Sequence, residues 1–408
     1  MADTSSFTDS GPWLTILGIG EDGAEGLSAA ARDALARAEL VIGAPRHLSL
    51  LPALNGRAEE WPVPFALGIE RLLAHRGKRV VMLASGDPFW FGGGAPVTRH
   101  LRAGEWIAHP APSTFSLAAA RLGWSLQDTV CLGLHAAPLA RLRPHLAAGR
   151  RILVLLRDGD AAGDLARYLI GQGFGASELH ILEALGGPRE RVRCVRAEAL
   201  AFGDVAHPVA VGIACAGQGR ALPCASGLAD DLFDHDGQIT KRPVRALTLS
   251  ALAPVPGETL WDIGAGSGSI AVEWLLRHPA NRAVAFESDP VRAERARANA
   301  LALGVDRLEV VIGRAPEILD QRSDDAPDAV FIGGGLSQTL LETLWARLPA
   351  GTRLVANAVT LDSEALLAQW QAGKGGDLLR IELAHAAPLG NRRGWRASFP
   401  VVQWSIVL

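Results

Sequence analysis

The run Thr259 to Ile263 is apolar except at Asp262, and Gly264-Ala265-Gly266-Ser267-Gly268 follows it at once. Ser269 to Arg277 then has helical periodicity. A strand, a turn of three alternating glycines and a helix open a parallel α/β unit. Glycines in such a turn let the backbone approach a ligand closely, because no Cβ stands in the way. The next apolar run, Ala283 to Glu287, ends in an acid. A tight turn with no ligand is the plainer alternative, and Glu287 and the later segments argue against it.

A dinucleotide fingerprint needs G-x-G-x-x-G or G-x-G-x-x-A, with the pyrophosphate on the helix N-terminus. Counting from Gly264, the sixth position is Ser269, and Gly268 stands one place early. Asp262 would sit badly beside a pyrophosphate and well beside a cation. S-adenosylmethionine carries an ammonium and a sulfonium and no phosphate. Asp262 is therefore expected to face its methionine end, and Glu287 to accept hydrogen bonds from the ribose hydroxyls.

The chain has 408 residues, 49% of them apolar and 20% charged, which suggests two or three globular domains. The net charge of -3 gives no basic field for nucleic acid. Lys78, Lys241 and Lys374 are the only lysines, so Arg supplies nearly all the positive charge and can grip carboxylates bidentately. Cys131, Cys194, Cys215 and Cys224 form no C-x-x-C pair, so buried free thiols in a reducing cytosol are expected, with no metal. Met1 to Gly11 lacks the features of a signal peptide, and no long apolar run predicts a membrane span.

Strand-like and helix-like runs alternate along the chain, as in layered α/β proteins. In the first half, strands are expected at Trp13–Leu17, Arg79–Ala84, Trp106–His109, Arg151–Leu156 and Glu178–Glu183. Helices are expected at Leu27–Leu40, Thr114–Leu122, Pro138–Ala147 and Asp164–Gly171. The stretch 215–235 breaks the rhythm with Gly217, Gly219, Pro223 and Gly227 and then acidic residues, and reads as a linker. A second series follows, with strands at Thr259–Ile263, Ala283–Glu287, Leu308–Ile312, Ala329–Ile332 and Arg353–Asn357. Arg380–Ala384 and Ser398–Val407 look like closing antiparallel strands, and Asn391 to Arg396 reads as a solvated basic loop.

Residues 236–408 resemble the class I S-adenosylmethionine-dependent methyltransferases, with their Rossmann-like seven-stranded sheet. Asp262, Gly264, Gly266 and Gly268 match the first motif, with Ala265 and Ser267 between them, and Glu287 matches the acid after the second strand. More narrowly, the region resembles the decarboxylating methyltransferase domain of corrin-ring biosynthesis. Thr240 matches the Thr of its entry segment, and Arg314-Ala315-Pro316-Glu317 its G-A-P-E-like run. Gly333-Gly334-Gly335 matches its glycine cluster. The resemblance implies donor contacts at Thr240 and Ala315. Small residues at 333–335 leave room for a flat macrocycle, and Arg392, Arg393 and Arg396 are candidates to grip its peripheral carboxylates.

Residues 12–214 show three separated landmarks: Leu17-Gly18-Ile19-Gly20-Glu21-Asp22-Gly23, Ser85-Gly86-Asp87-Pro88, and Pro110-Ala111-Pro112-Ser113-Thr114-Phe115. Their order and spacing resemble the class III tetrapyrrole methylases, built of two α/β subdomains with the methyl donor in the cleft between them. The resemblance implies donor contacts at Gly86, Asp87, Ser113 and Thr114.

The expected fold class is thus α/β, a class III tetrapyrrole methylase domain joined to a class I methyltransferase domain. Both resemblances together imply a cytoplasmic, homo-oligomeric enzyme of cobalamin biosynthesis that uses two S-adenosylmethionines. It would methylate a precorrin at ring carbons 5 and 15 and remove carbon dioxide from the acetate on ring carbon 12. Carbon 5 falls to the first domain, and carbon 15 with decarboxylation to the second. An RNA or protein methyltransferase, and a scaffold that only binds the donor, are the alternatives.

Overall fold

The structure, a computed structural model, describes residues 11–52, 54, 56–322 and 326–408. It divides into two units. The first ends at Arg220 and leaves out Pro138–Pro144; the second takes Pro138–Pro144 and Ala221–Leu408.

The first unit holds two five-stranded sheets. One is wholly parallel and is built from β1 (Leu14–Ile19), β2 (Leu40–Gly43), β3 (Arg57–Glu60), β4 (Val80–Ser85) and β5 (Trp106–His109), in the order β3-β2-β4-β1-β5. Helix Ala29–Arg37 follows β1, with the Ser28 hydroxyl accepting from the Ala31 amide. The sequence predicts this helix through Leu40. It stops at Arg37 because Ala38 turns extended, and Leu40–Gly43 becomes a fully buried inner strand instead. The second sheet comprises β6 (Thr129–Gly133), β7 (Arg151–Leu155), β8 (Glu178–Glu183), β9 (Arg191–Arg196) and β10 (Val209–Ala214), in the order β6-β7-β10-β8-β9. Only the β6·β7 pair is parallel.

The second unit contains a seven-stranded sheet of β11 (Thr259–Ile263), β12 (Arg282–Glu287), β13 (Glu309–Ile312), β14 (Ala329–Ile332), β15 (Arg353–Ala358), β16 (Asp377–Ile381) and, beyond a hairpin, β19 (Val401–Val407). Its order is β13-β12-β11-β14-β15-β19-β16; β19 is antiparallel to both its neighbours, as expected of a closing strand. The hairpin β17 (Ala384–Leu389) and β18 (Arg392–Ala397) forms a separate two-stranded ribbon. The basic tail is therefore a strand and not the loop the charge run suggests: ladder pairing to Ala384–Leu389 holds it extended although most of it is exposed.

Apolar residues cover both faces of the seven-stranded sheet. Leu260, Ile270, Trp274 and Phe331 lie in one core; Trp261, Ile263, Phe286 and Trp404 lie in the other. Within the expected linker, Leu228 and Phe233 are buried in the first of these. A fully buried ion pair anchors that stretch. Arg245 Nε donates to Glu273 Oε1 at 2.6 Å, and the Glu273 carboxylate also accepts from the Gly227 and Leu228 amides at 2.7 and 2.8 Å. The other guanidinium nitrogens donate to the Leu228 and Thr240 carbonyls and, at 3.1 Å, to Asp230.

Removing one partner of such a pair strands the other charge in the interior. Glu273→Ala is expected to lower the stability of the second unit by about 3–5 kcal/mol. Chemical denaturation read by the fluorescence of its tryptophans checks this. A loss below about 1 kcal/mol, the worth of an exposed pair, would remove the pair's anchoring role.

Candidate functional site

Open α/β sheets bind ligands outside the carboxyl ends of their strands, where the strand order reverses. In the second unit that point lies between β11 and β14. The loops that leave these two strands touch. A Cβ on Gly264, whose φ is +70°, would stand 2.6 Å from the Gly334 Cα and amide nitrogen. No side chain fits there, so the first glycine of one loop and the middle glycine of the other let two backbones pass. Gly335 has a different reason: its φ is +73°, and a Cβ there would meet open space.

Asp262 stands at this junction, almost wholly buried. Its Oδ2 accepts from the Ala271 amide at 3.1 Å, and its Oδ1 has no partner among the described residues. Burial pushes the carboxyl up to about 7, and the nearby Glu287 charge adds to the rise. Glu287 lies at the end of β12, its carboxylate taking the Gly266 amide at 2.8 Å and the Asp289 amide at 2.9 Å. Ser267 Oγ is a second buried atom without a described partner. A buried acid with an unpaired oxygen close behind the turn favours a cationic ligand in front of it, and an acid fixed by backbone amides fits a ribose diol. The residues present suit S-adenosylmethionine.

The junction opens into a cavity of about 1050 Å³. Of the residues singled out from sequence, Thr240, residues 264–267, Glu287, Ala315, residues 333–335 and Arg396 form its wall. Asp262 and Gly268 lie behind it; Gly268, φ +72°, is packed against Ala296 as the cap of helix Ser269–Arg277. Arg392 and Arg393 stay on the exposed part of the hairpin, away from the wall. Sequence reasoning misses His385, Arg292 and Phe399, which also line it. His385 pairs with Arg396 across the ribbon, a register that no local signal announces. Arg292 is held by Asp236 at 2.8 Å, whereas Arg314 and Arg396 have no ion-pair partner among the described residues.

In the first unit the three landmarks converge at the carboxyl edge of the parallel sheet. A Cβ on Gly18 would overlap the Gly86 carbonyl oxygen and stand 2.6 Å from the Ala111 amide. The end of β1 is thereby brought against the loops that leave β4 and β5. Asp87 Oδ1 accepts from the Phe89 amide at 2.9 Å, which shapes its turn. The buried Ser113 hydroxyl accepts from the Ser116 amide at 3.0 Å and caps helix Thr114–Leu122. Its role is thus at least partly that of a cap.

The four cysteines are free. Cys194 lies opposite His180 across β8 and β9, with Glu178 beside them. The exposed Cys194 donates its thiol proton to Glu178 at 2.9 Å, and partial desolvation with that carboxylate pushes the thiol up to about 11.

Residues 231–408 match the precorrin methyltransferase domain family, and residues 14–201 match the tetrapyrrole (corrin/porphyrin) methylases. A Sinorhizobium precorrin-6Y C(5,15)-methyltransferase [decarboxylating] is 49% identical over 99% of both chains. A Mycobacterium tuberculosis protein of the same name is 41% identical over 96% of this chain and 99% of its own. A Saccharolobus solfataricus protein, named probable cobalt-precorrin-6B C(15)-methyltransferase (decarboxylating), is 34% identical over 34% of this chain and 71% of its own. The chain belongs to the precorrin-6Y C5,15-methyltransferase (decarboxylating) family. Members of this family are S-adenosylmethionine-dependent methyltransferases, and the α/β fold class expected from sequence is the one observed. Among the described residues no helix is long and apolar enough to cross a membrane.

For a member of the precorrin-6Y C5,15-methyltransferase family, the raised Asp262 carboxyl has a measurable consequence. Below about 7 it holds a proton; a cationic donor favours the carboxylate. Donor affinity at this site is expected to rise as pH passes upward through about 7, with proton release on binding. Calorimetry in buffers of different ionisation heat reads both. Asp262→Asn is expected to weaken binding about 10-fold at alkaline pH, the loss of a buried charge close behind the cavity wall, and to flatten the profile. A pH-independent affinity in the unsubstituted protein would overturn the assignment.

Proposed function

We propose that the chain binds two molecules of S-adenosylmethionine, one in each unit, and converts a precorrin by two C-methylations and one decarboxylation. The first unit methylates ring carbon 5. The second methylates ring carbon 15 and removes carbon dioxide from the acetate on ring carbon 12. The observation that carries this reading is Asp262, a buried acid with an unpaired oxygen, beside a large cavity at the strand-order reversal of a family member. The shorter Saccharolobus relative supports the division, since its name joins 15-methylation and decarboxylation in one small protein. The tetrapyrrole methylase match supports the other half. The domain limits that go with this division lie near Arg220 and Ala221, and most of the stretch 215–235 expected as a linker belongs with the second unit.

Little side-chain chemistry is needed. The meso carbons of a reduced tetrapyrrole are enamine-like and already nucleophilic. The bound donor supplies an electrophilic methyl group. The protein aligns that carbon with the methyl–sulfur bond, and alignment alone is worth about 7–11 kcal/mol. Decarboxylation needs an electron sink, which the conjugated ring provides. The acetate that loses carbon dioxide sits without a strong cationic partner; the pair of the broken C–C bond passes to the ring and a proton then completes the methyl group left behind. Arg314 and Arg396 of the cavity wall, with no ion-pair partner among the described residues, hold other carboxylates.

Calorimetry with donor is expected to count two sites, and Asp262→Asn to leave one. Loss of both sites in that variant would refute independent domains. Arg396→Ala is expected to raise the KM for precorrin about 10-fold, the loss of one charge-assisted contact, with donor affinity unchanged. Mass spectrometry of products tests the whole reading. Labelled methyl groups found in RNA or protein instead of in the precorrin would overturn it.

A further inference from the structure

The carboxyl ends of three adjacent strands in the first unit's parallel sheet supply a cluster distinct from the expected donor contacts Gly86, Asp87, Ser113 and Thr114. Glu21 follows β1, Arg46 and His47 follow β2, and Ser85 ends β4. Arg189, from the turn between β8 and β9, joins them. Glu21 is buried, and its two oxygens take Arg46 and Arg189, the latter at 2.9 Å. The second amino group of Arg46 donates to His47 Nε2 at 2.9 Å and to Ser85 Oγ at 2.8 Å. His47 Nε2 and Ser85 Oγ are 2.8 Å apart.

A guanidinium has donors only. His47 Nε2 therefore accepts, and the ring proton sits on Nδ1. That nitrogen is buried and has no partner among the described residues, an uncommon state for a buried polar atom. His47 is 8% exposed, while Ser85 is exposed and immediately precedes the Gly86-Asp87 loop. The imidazole thus presents its lone pair, through an accessible hydroxyl, to the edge where a ligand of this sheet would lie. Burial and the Arg46 charge hold the imidazole down at about 4, so it stays in the accepting form at neutral pH. The other charged and titratable groups around the cluster are Glu21, Arg189 and the exposed His207.

We propose that Ser85 and His47 are the proton-accepting pair of the first unit's methyl transfer. This rests on the reading that the first unit methylates a ring carbon that bears hydrogen. The methyl–sulfur bond breaks with its electron pair left on sulfur. A π pair of the ring forms the new carbon–carbon bond, which leaves the ring cationic. The C–H pair on the methylated carbon then returns to the ring. Its proton passes to Ser85 Oγ as the Ser85 proton moves to His47 Nε2, which then no longer accepts from Arg46, whose amino group keeps its bond to Ser85. The imidazolium, next to Arg46, gives that proton to water, which resets the pair.

The test uses the full-length chain with precorrin and donor, and follows each product by mass. His47→Gln keeps an acceptor for Arg46 and takes no proton. It is expected to slow the first unit's methylation about 100-fold or more, the usual share of a general base, with donor KM within about twofold, a change too small to signal a lost contact. Product with one methyl group, already decarboxylated, should accumulate. Ser85→Ala, at an exposed position, should act in the same direction. With substrate deuterated at the methylated carbon, His47→Gln should show a primary isotope effect that the unsubstituted chain lacks, because proton loss has become limiting. An unchanged rate in both variants, or a fall without any isotope effect, would overturn the pair. An unsubstituted chain that transfers no methyl group to precorrin would overturn the functional reading along with it.

Discussion

One guanidinium organises the approach to the second unit's cavity. Arg245 is fully buried, and its donors reach Glu273, Asp230 and the carbonyls of Leu228 and Thr240. Glu273 belongs to the helix that starts directly after the Gly264–Gly268 turn. The pair therefore ties the segment holding Thr240 to the helix behind the donor turn. Two buried charges are not in themselves a source of stability. Their value here is geometric, since five further hydrogen bonds depend on the pair, and these set where residues 227–241 can lie. Without it, one wall of the cavity would have no fixed position.

Both units solve one problem in the same way. A parallel sheet that binds a ligand at its carboxyl edge must bring loops from neighbouring strands close together without filling the space between them. In the second unit Gly264 meets Gly334, and in the first Gly18 meets Gly86 and Ala111. In each case a Cβ would collide with backbone, which cannot move aside as a flexible side chain can. Any substitution at Gly264 would push two loops apart, and one at Gly18 would push the end of β1 from the loops beside it, even where the new side chain points away from ligand. The two folds share no strand order, so the likeness reflects the constraint and not the topology.

The second half was legible because its strands are buried on both faces and read as continuous apolar runs. Thr259–Ile263 and Ala329–Ile332 have the limits expected from sequence. Asp262 and Glu287 stood out because each is an acid near the carboxyl end of an apolar run, and the structure sets those two strand ends side by side. Elements escaped notice where tertiary contacts alone define them. Arg57–Glu60 is an edge strand of charged residues with no apolar alternation. Arg392–Ala397 is a ribbon strand exposed along most of its length, so no burial pattern marks it. Val209–Ala214 is a missed strand of another kind: its apolar run is continuous, and only its closeness to a glycine-rich stretch hides it. The His47–Ser85 contact joins residues 38 apart through two adjacent strand ends, which no spacing rule could reveal.

The two sites differ in what their arginines are free to do. In the first unit Arg46 and Arg189 are both committed to Glu21, and Arg46 also holds His47 and Ser85. A guanidinium so engaged sets the tautomer and charge of its neighbours more than it attracts a distant anion. In the second unit Arg314 and Arg396 face the cavity without a described carboxylate partner. An unpaired cation at a cavity wall is poised for an anionic ligand, because binding replaces water and no internal ion pair has to break. Macrocycle carboxylates would then be gripped chiefly in the second unit. On the proposed division of labour that is also the unit in which one of them is lost as carbon dioxide, and an acetate kept away from Arg314 and Arg396 would gain no ion pair that holds its charge in place against decarboxylation.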